Sequence, residues 1–118
     1  YGFNSNHLKT IGNYWLSKYD WRTREKLLNK YPQFTTTIGG LKIHFQHVTS
    51  TNNSKYRKTR PLLLLHGWPG SFIEFQKIIP LLIDPKDSDV NFELVIPSLP
   101  GYGFSEGAVR PGLGLVET

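Results

Sequence analysis

Residues His66-Gly67-Trp68-Pro69-Gly70-Ser71 follow a wholly apolar run, Leu62-Leu63-Leu64-Leu65. A buried strand that breaks into glycine and proline, then into a helical pattern, aims backbone N–H groups at one point in space. Unpaired N–H groups and aligned peptide dipoles stabilise negative charge there. The chemistry this serves is passage through a tetrahedral oxyanion. Trp68 is the donor of interest. Pro69 supplies no competing N–H and pushes Trp68 toward extended backbone. The Trp68 indole either walls an apolar pocket or fills core. Glycine and proline also serve any strand-to-helix turn, so the spacing alone leaves both readings open.

Other residues invite chemistry less strongly. His66 suggests a metal ligand or general base, but no other His, Asp or Glu lies at a ligand spacing from it, and a strand-end His is more often a structural hydrogen-bonder. His44 and His47, three apart in a strand, point to opposite faces and do not share a metal. His7 reads as a surface residue. In Pro97-Ser98-Leu99-Pro100-Gly101-Tyr102-Gly103-Phe104-Ser105 the glycines match neither phosphate-binding fingerprint, so a nucleotide site is rejected. They are better suited to a sharp backbone turn under a pocket. Gly103-Phe104-Ser105-Glu106-Gly107 does read as G-x-S-x-G, the esterase elbow. Against it, Ser105 lies nine residues beyond Ile96, and Arg110-Pro111-Gly112 follows it instead of an apolar helix.

The elements that must position these residues follow from periodicity. Leu8, Ile11, Trp15 and Tyr19 give one apolar face to a helix over Ser5 to Tyr19. Asp20 caps a second helix running to about Lys30, with Trp21, Leu27, Leu28 and Tyr31 as its buried contacts. Pro32 stops it. Thr35–Ile38, Gly39-Gly40 and Leu41–Gln46 read as a hairpin, its second strand burying Leu41, Ile43 and Phe45 and exposing Lys42, His44 and Gln46. Thr49–Arg60 is a polar loop. Pro61–Leu65 does not alternate and reads as a strand buried on both faces. Ser71 and Glu74 form a capping box for a helix with Phe72, Phe75, Ile79 and Leu82 on its inner face, kinked or ended by Pro80. After a loop over Asp84–Asn91, Phe92–Ile96 completes a βαβ unit with parallel strands. Both special loops therefore sit at the carboxyl edge of the sheet, where such folds bind ligands. Residues 1–34 form a helical lead-in and 35–118 the start of an α/β domain.

The chain has 118 residues, the length of one small domain, with 38% hydrophobic and 14% aromatic residues, a composition that builds a core. Its net charge of +5 is spread over the helices and a loop holding Lys55, Arg57, Lys58 and Arg60. That cluster reads as a solvated surface, with anionic lipid headgroups as an alternative partner. No nucleic-acid-binding module accompanies it. With no cysteine, disulfides and thiolate metal sites are excluded. Neither Pro61–Leu65 nor Ile78–Ile83 approaches the roughly 20 apolar residues of a membrane span. The chain does not begin with Met, so an anchoring segment upstream remains compatible with it.

In combination, Gly2-Phe3-Asn4-Ser5, Tyr14-Trp15, Tyr31-Pro32-Gln33-Phe34, Gly40–Phe45, His66–Ser71 and Pro97–Ser105 resemble the microsomal epoxide hydrolases, and most nearly their insect juvenile hormone branch. The resemblance implies the N-terminal part of an α/β-hydrolase fold preceded by a lead-in that wraps the core. It implies conversion of apolar epoxides to diols. In that family an aspartate attacks the epoxide while two cap tyrosines assist the leaving oxygen, and a histidine oriented by an acid then activates water. Of the oxyanion donors, one is the N–H of the x residue in H-G-x-P, here Trp68; the other follows the nucleophile. His66, Gly67, Trp68, Pro69, Phe72, Tyr102 and Phe104 are then the expected pocket residues. Nucleophile, base and cap tyrosines have no counterpart here, since Asp20, Asp84, Asp87 and Asp89 match helix and loop positions. The resemblance implies no cofactor and no metal. It implies a small apolar epoxide as substrate, an endoplasmic reticulum membrane location through an upstream anchor, and dependence on the rest of the hydrolase chain for folding. Leu62–Leu65 is expected to lie at an open sheet edge. A non-catalytic binder of an apolar ligand or partner is the alternative, and a serine esterase on the same fold is a third reading.

Overall fold

The computed structural model describes residues 2–50 and 58–114. Lys55 and Arg57 of the basic loop lie outside them. Asn4 starts the first helix: its Oδ1 accepts from the N–H groups of Asn6 at 2.9 Å and His7 at 3.3 Å, and α1 runs Ser5–Lys18. The second, α2 (Trp21–Leu28), begins at Asp20 as its sequence predicts, with Thr23 N–H donating to Asp20 Oδ1 at 3.1 Å. The Thr23 hydroxyl and N–H hold the Asp20 carboxyl below its ordinary value. The helix stops short of Lys30, and neither helix buries a residue. Trp21 and Leu27, expected inside, are about half exposed. Of the two helices, only the C-terminal end of α2 joins the core, through part-buried Leu28, with buried Tyr31 just beyond the helix. That is why the two helices form without covering their apolar faces.

β1 (Gln33–Ile38) already takes in the last two residues of the expected lead-in. It pairs antiparallel with β2 (Leu41–Val48) from Gln33 opposite Gln46 to Ile38 opposite Leu41. Gly39 and Gly40 turn the hairpin at φ of 56° and 81°, angles that a side chain makes costly. β2 pairs antiparallel with β4 (Val90–Pro97), which pairs in parallel with β3 (Lys58–Leu63). The order is β1-β2-β4-β3. The parallel pair is the one predicted from the strand-helix-strand pattern, and β3 is the outer strand.

Three expectations about packing are corrected. β3 is not buried on both faces: Leu62 and Leu64 turn toward the core, while Leu63 and Leu65 are exposed at 58% and 57%. An outer strand covered on one side alternates whatever its composition. It also starts earlier than expected, so Lys58–Arg60 belong to the strand and not to a loop. In β2 the polar face is buried as well. His44 and Gln46, expected outside, are among the most buried residues and share a face with core residue Val48; on the opposite face Ile43 is buried as expected, and half-buried Leu41 and Phe45 line a groove with it. Full hydrogen bonding makes the polar burial tolerable. Gln46, for example, accepts from Gln76 Nε2 at 2.8 Å and donates to Leu28 O at 3.4 Å.

The helix after the turn is the third. A 3₁₀ turn (Phe72–Phe75) and a short helix, α3 (Ile79–Ile83), replace one continuous helix. Pro80 sits in the first turn of α3, where a missing N–H costs little, so it opens that helix instead of ending one. Ser71 Oγ accepts from Ile73 N–H at 3.4 Å, and the Glu74 N–H goes to the Ser71 carbonyl at 3.1 Å, so the reciprocal capping box does not form. The Glu74 carboxylate lies over Gly70, 2.8 Å from where a Cβ would stand. The expected inner face survives: Phe72 and Ile79 are buried with Leu94 and Ile96, and Phe75 and Leu82 pack beside them.

Candidate functional site

The Gly67–Gly70 turn is closed by Gly70 N–H donating to Gly67 O at 2.7 Å, with a cis Trp68–Pro69 peptide between them. His66 is 3% exposed and braces the turn from inside. Leu99 N–H donates to its Nε2 at 3.0 Å, which makes Nε2 an acceptor and puts the ring proton on Nδ1. Nδ1 faces Gly67 O at 3.3 Å. The Gly67 carbonyl is thus held from two sides. In a planar trans peptide the carbonyl and the following N–H point in opposite directions, so fixing Gly67 O also fixes the Trp68 N–H. Among the described residues, nothing accepts that N–H. A Cβ added at Gly67 would meet no atom within 4 Å, and the Trp68 side chain is 83% exposed. The donor therefore stands at the carboxyl end of β3 beside open space. The helix dipole expected behind it is small, because only four residues of 3₁₀ turn follow.

The loop after β4 folds back along β2. Ser98 N–H donates to His44 O at 2.8 Å, Glu106 N–H to Lys42 O at 2.8 Å, and Lys42 N–H to a Glu106 carboxylate oxygen at 2.6 Å. This return presents Tyr102 and Phe104. The Tyr102 ring lies edge-on to His66 at 5.3 Å. Phe104 is 62% exposed and meets His44 at 5.2 Å and Phe72 at 5.9 Å. Gly103 has a φ of 52°, and a Cβ there would strike the Ser98 hydroxyl. Gly103→Ala is expected to cost about 1–3 kcal/mol. Faster amide exchange at Ser98 and Ser105 is the readout, and unchanged exchange would remove the close approach from the argument. Ser105 is not poised as a nucleophile: its Oγ donates to Ser98 O at 2.6 Å and accepts from His44 N–H at 2.9 Å.

His44 is buried between these parts. Gln33 Nε2 donates to Leu28 O at 2.9 Å and Asn29 Oδ1 at 3.2 Å, which leaves Gln33 Oε1 as the acceptor for His44 Nε2–H at 2.8 Å. Nδ1 then accepts from the Ser98 hydroxyl at 2.9 Å. Burial pushes the His44 ring below its ordinary 6.5. A lowered histidine favours the folded state when neutral, so this contribution is fully present above pH 6.5 and is lost as pH falls through the lower folded value.

Of the expected pocket residues, His66, Gly67, Trp68 and Pro69 lie in the turn, and Tyr102 reaches His66 from the facing loop. Phe104 joins Phe72, which is buried at 1% exposure. None of them lines the groove of about 430 Å³ on the open sheet face, formed by Ile38, Leu41, Ile43, Phe45, Leu63 and Leu65 among others. Gln33 and Ser98 had no sequence signal of their own. The polar alternation of His44 and Gln46 was read as exposure, and the structure buries both while Ile43 opposite them is buried as expected. Among the described residues no three His, Asp or Glu side chains converge as a metal site.

A family profile described as epoxide hydrolase N terminus matches residues 1–75. The chain belongs to the epoxide hydrolase family. This epoxide hydrolase sequence is 52% identical over 118 aligned positions to juvenile hormone epoxide hydrolase 2 of Ctenocephalides felis, covering 99% of this chain and 25% of that protein. It is 52% identical over 120 positions to epoxide hydrolase 1 of Sus scrofa, covering 98% and 26%. The crystal structure of juvenile hormone epoxide hydrolase from the silkworm Bombyx mori superposes with a TM-score of 0.92 at 51% identity, over 99% of this chain and 28% of that one. The chain thus spans about a quarter of the length of these relatives, and its helices and mixed sheet are the opening part of an α/β-hydrolase fold.

Proposed function

We propose that this chain supplies the N-terminal quarter of an epoxide hydrolase that adds water to apolar epoxides, and that its chemical contribution is the Trp68 N–H. The observation that carries this reading is that N–H: without an acceptor among the described residues, beside open space, on a peptide held at its carbonyl end by His66 and Gly70. In the reaction an aspartate oxygen bonds to an epoxide carbon, the carbon–oxygen bond breaks, and the oxygen takes a proton from a tyrosine. Water, deprotonated by a histidine, then adds to the ester carbonyl. The resulting oxyanion rests on the Trp68 N–H and a second N–H beside the nucleophile, and collapse releases the diol. Exposed Trp68 and Phe104 suit an apolar substrate, and two of the relatives above are named for juvenile hormone.

Residues 1–118 hold one oxyanion donor and no nucleophile or base of this set, so alone they give no epoxide turnover in this reading. The test is a graft: residues 1–118 replace the matching quarter of the silkworm enzyme, and diol formation from an apolar epoxide is measured. Turnover within about tenfold of the parent supports the assignment, and a folded graft without turnover overturns it. The open groove favours one second reading, a non-catalytic binder of an apolar ligand. Saturable binding of an apolar fluorophore by residues 1–118, lost in Leu63→Glu at an exposed groove position, together with an inactive graft, would select it. A place at the endoplasmic reticulum membrane rests on the resemblance alone. No helix of the described residues is long and apolar enough to cross a bilayer, and fractionation of the full protein in cells tests the location.

A further inference from the structure

One line of hydrogen bonds runs from the end of α2 to the aromatic loop: Leu28 O, Gln33, His44, Ser98. We propose that His44 is a positioning residue through which the helical lead-in holds the Tyr102–Phe104 loop, and so sets how bulky an epoxide the site accepts; this rests on the hydrolase reading above. Each link has one allowed direction. Two acceptors fix the Gln33 amide, the amide fixes the His44 tautomer, and the tautomer makes Nδ1 an acceptor for Ser98. Ser98 in turn sits under Gly103, where a Cβ has no room, and its carbonyl takes the Ser105 hydroxyl. The His44 ring also touches Phe104 directly, edge-on at 5.2 Å, and Phe72 at 5.0 Å. A shift of β1 or the α2 end is therefore delivered to Phe104 by both hydrogen bonds and ring packing.

The groups around the ring are uncharged: Gln33 from β1, Ser98 and Phe104 from the loop, and Phe72 from the 3₁₀ turn. The charged neighbours on these elements are turned to other tasks. Glu106 holds the Lys42 N–H, and the Glu74 carboxylate covers Gly70. Protonation of His44 would replace the Nδ1 acceptor with a donor. The Ser98 hydroxyl would then accept, and its own proton would lose its partner in a buried place. The loop loosens, and the bulky substrate feels it first.

The test uses the graft. Gln33→Leu breaks the line at a residue remote from the loop in sequence. KM for a bulky apolar epoxide such as stilbene oxide is expected to rise at least about fivefold, while kcat and the KM for propylene oxide stay within about twofold. Gln33→Glu keeps an acceptor for Nε2, gives up the donors to Leu28 O and Asn29 Oδ1, and adds a negative charge that favours the imidazolium. At alkaline pH it is expected to raise the KM for the bulky epoxide as Gln33→Leu does, because both cut the tie to α2, and to move the further acid-side rise in KM upward by about one pH unit or more. A merely structural His44 would lower stability in both variants and leave the pH profile and substrate split unchanged, which would overturn the proposal. The nitrogen resonances of His44 give a readout independent of turnover: Nδ1 unprotonated and Nε2 protonated in the parent, with the tautomer mixed and the Phe104 ring signals shifted in Gln33→Leu. If the unaltered graft is inactive, the hydrolase reading fails, and these resonances alone decide the relay. Unshifted Phe104 signals would sink it.

Discussion

Trp68→Pro in the graft is expected to lower kcat by about 10²–10³-fold, the loss that follows removal of one oxyanion donor, or roughly 3–4 kcal/mol. The substitution deletes the N–H, and it also fixes φ at position 68, restricts Gly67 and removes the indole, so circular dichroism of the variant graft must match the parent. No described group accepts that N–H, and the indole stands 83% exposed. Trp68→Phe is the control: it keeps the N–H and trims the ring, so kcat should stay within about threefold while KM for an apolar epoxide rises. His66→Ala is expected to fall between them, about ten- to a hundredfold down in kcat, because the Gly67 carbonyl keeps its Gly70 donor and loses its brace. The order of the three variants matters more than any one value. If folded Trp68→Pro loses no more than Trp68→Phe, the backbone donor has no part in the chemistry and only the aromatic wall remains.

The turn itself was legible in the sequence because few residues can make it. An apolar run that ends in Gly67 and passes through Pro69 to Gly70 has little choice but to break its strand there, and Gly39-Gly40 fixed the hairpin for the same reason. Asp20 announced its helix through a side chain that bonds its own backbone neighbours. What the sequence did not convey was which neighbours lie across the sheet. The burial of His44 and Gln46 in β2 shows why. A period of two says that His44 and Gln46 share a face with each other and not with Ile43, but which face is covered depends on partners far along the chain. Ser98 and Gln76 supply hydrogen bonds that make the polar face the inner one. The four leucines of 62–65 misled in the opposite direction, since among the described residues only the face of Leu62 and Leu64 is covered, and Leu63 and Leu65 stand exposed. The site divides along the same line. The donor Trp68 followed from local spacing. The line from Gln33 to Ser98 joins three elements and could be found only once they were assembled.

Residues 1–118 expressed alone are expected to self-associate at micromolar concentration. The sheet face under the 3₁₀ turn and α3 is packed, with Phe72, Ile79, Leu94 and Ile96 buried. The opposite sheet face, where Ile43 is buried, is largely open among the described residues. Ile38, Leu63 and Leu65 are each more than half exposed there, and Phe34 and Phe45 stack at 5.6 Å beside them. On α1 and α2, Trp15, Leu16 and Trp21 are likewise open. β3 adds the second ingredient: its outer edge has no strand partner among the described residues, so its backbone groups can pair with another chain. An apolar sheet face continuous with an unpaired edge is the combination that associates, because side-chain burial and backbone pairing are gained together. Leu63→Lys with Leu65→Lys places charge on that face while leaving inward-turned Leu62 and Leu64 in place. Sedimentation velocity should show oligomers for the parent and a predominantly monomeric double variant with unchanged far-ultraviolet circular dichroism. A monomeric parent with a cooperative melt would show that the uncovered face is quiet in water, and the exposed leucines would then need no covering layer to explain them.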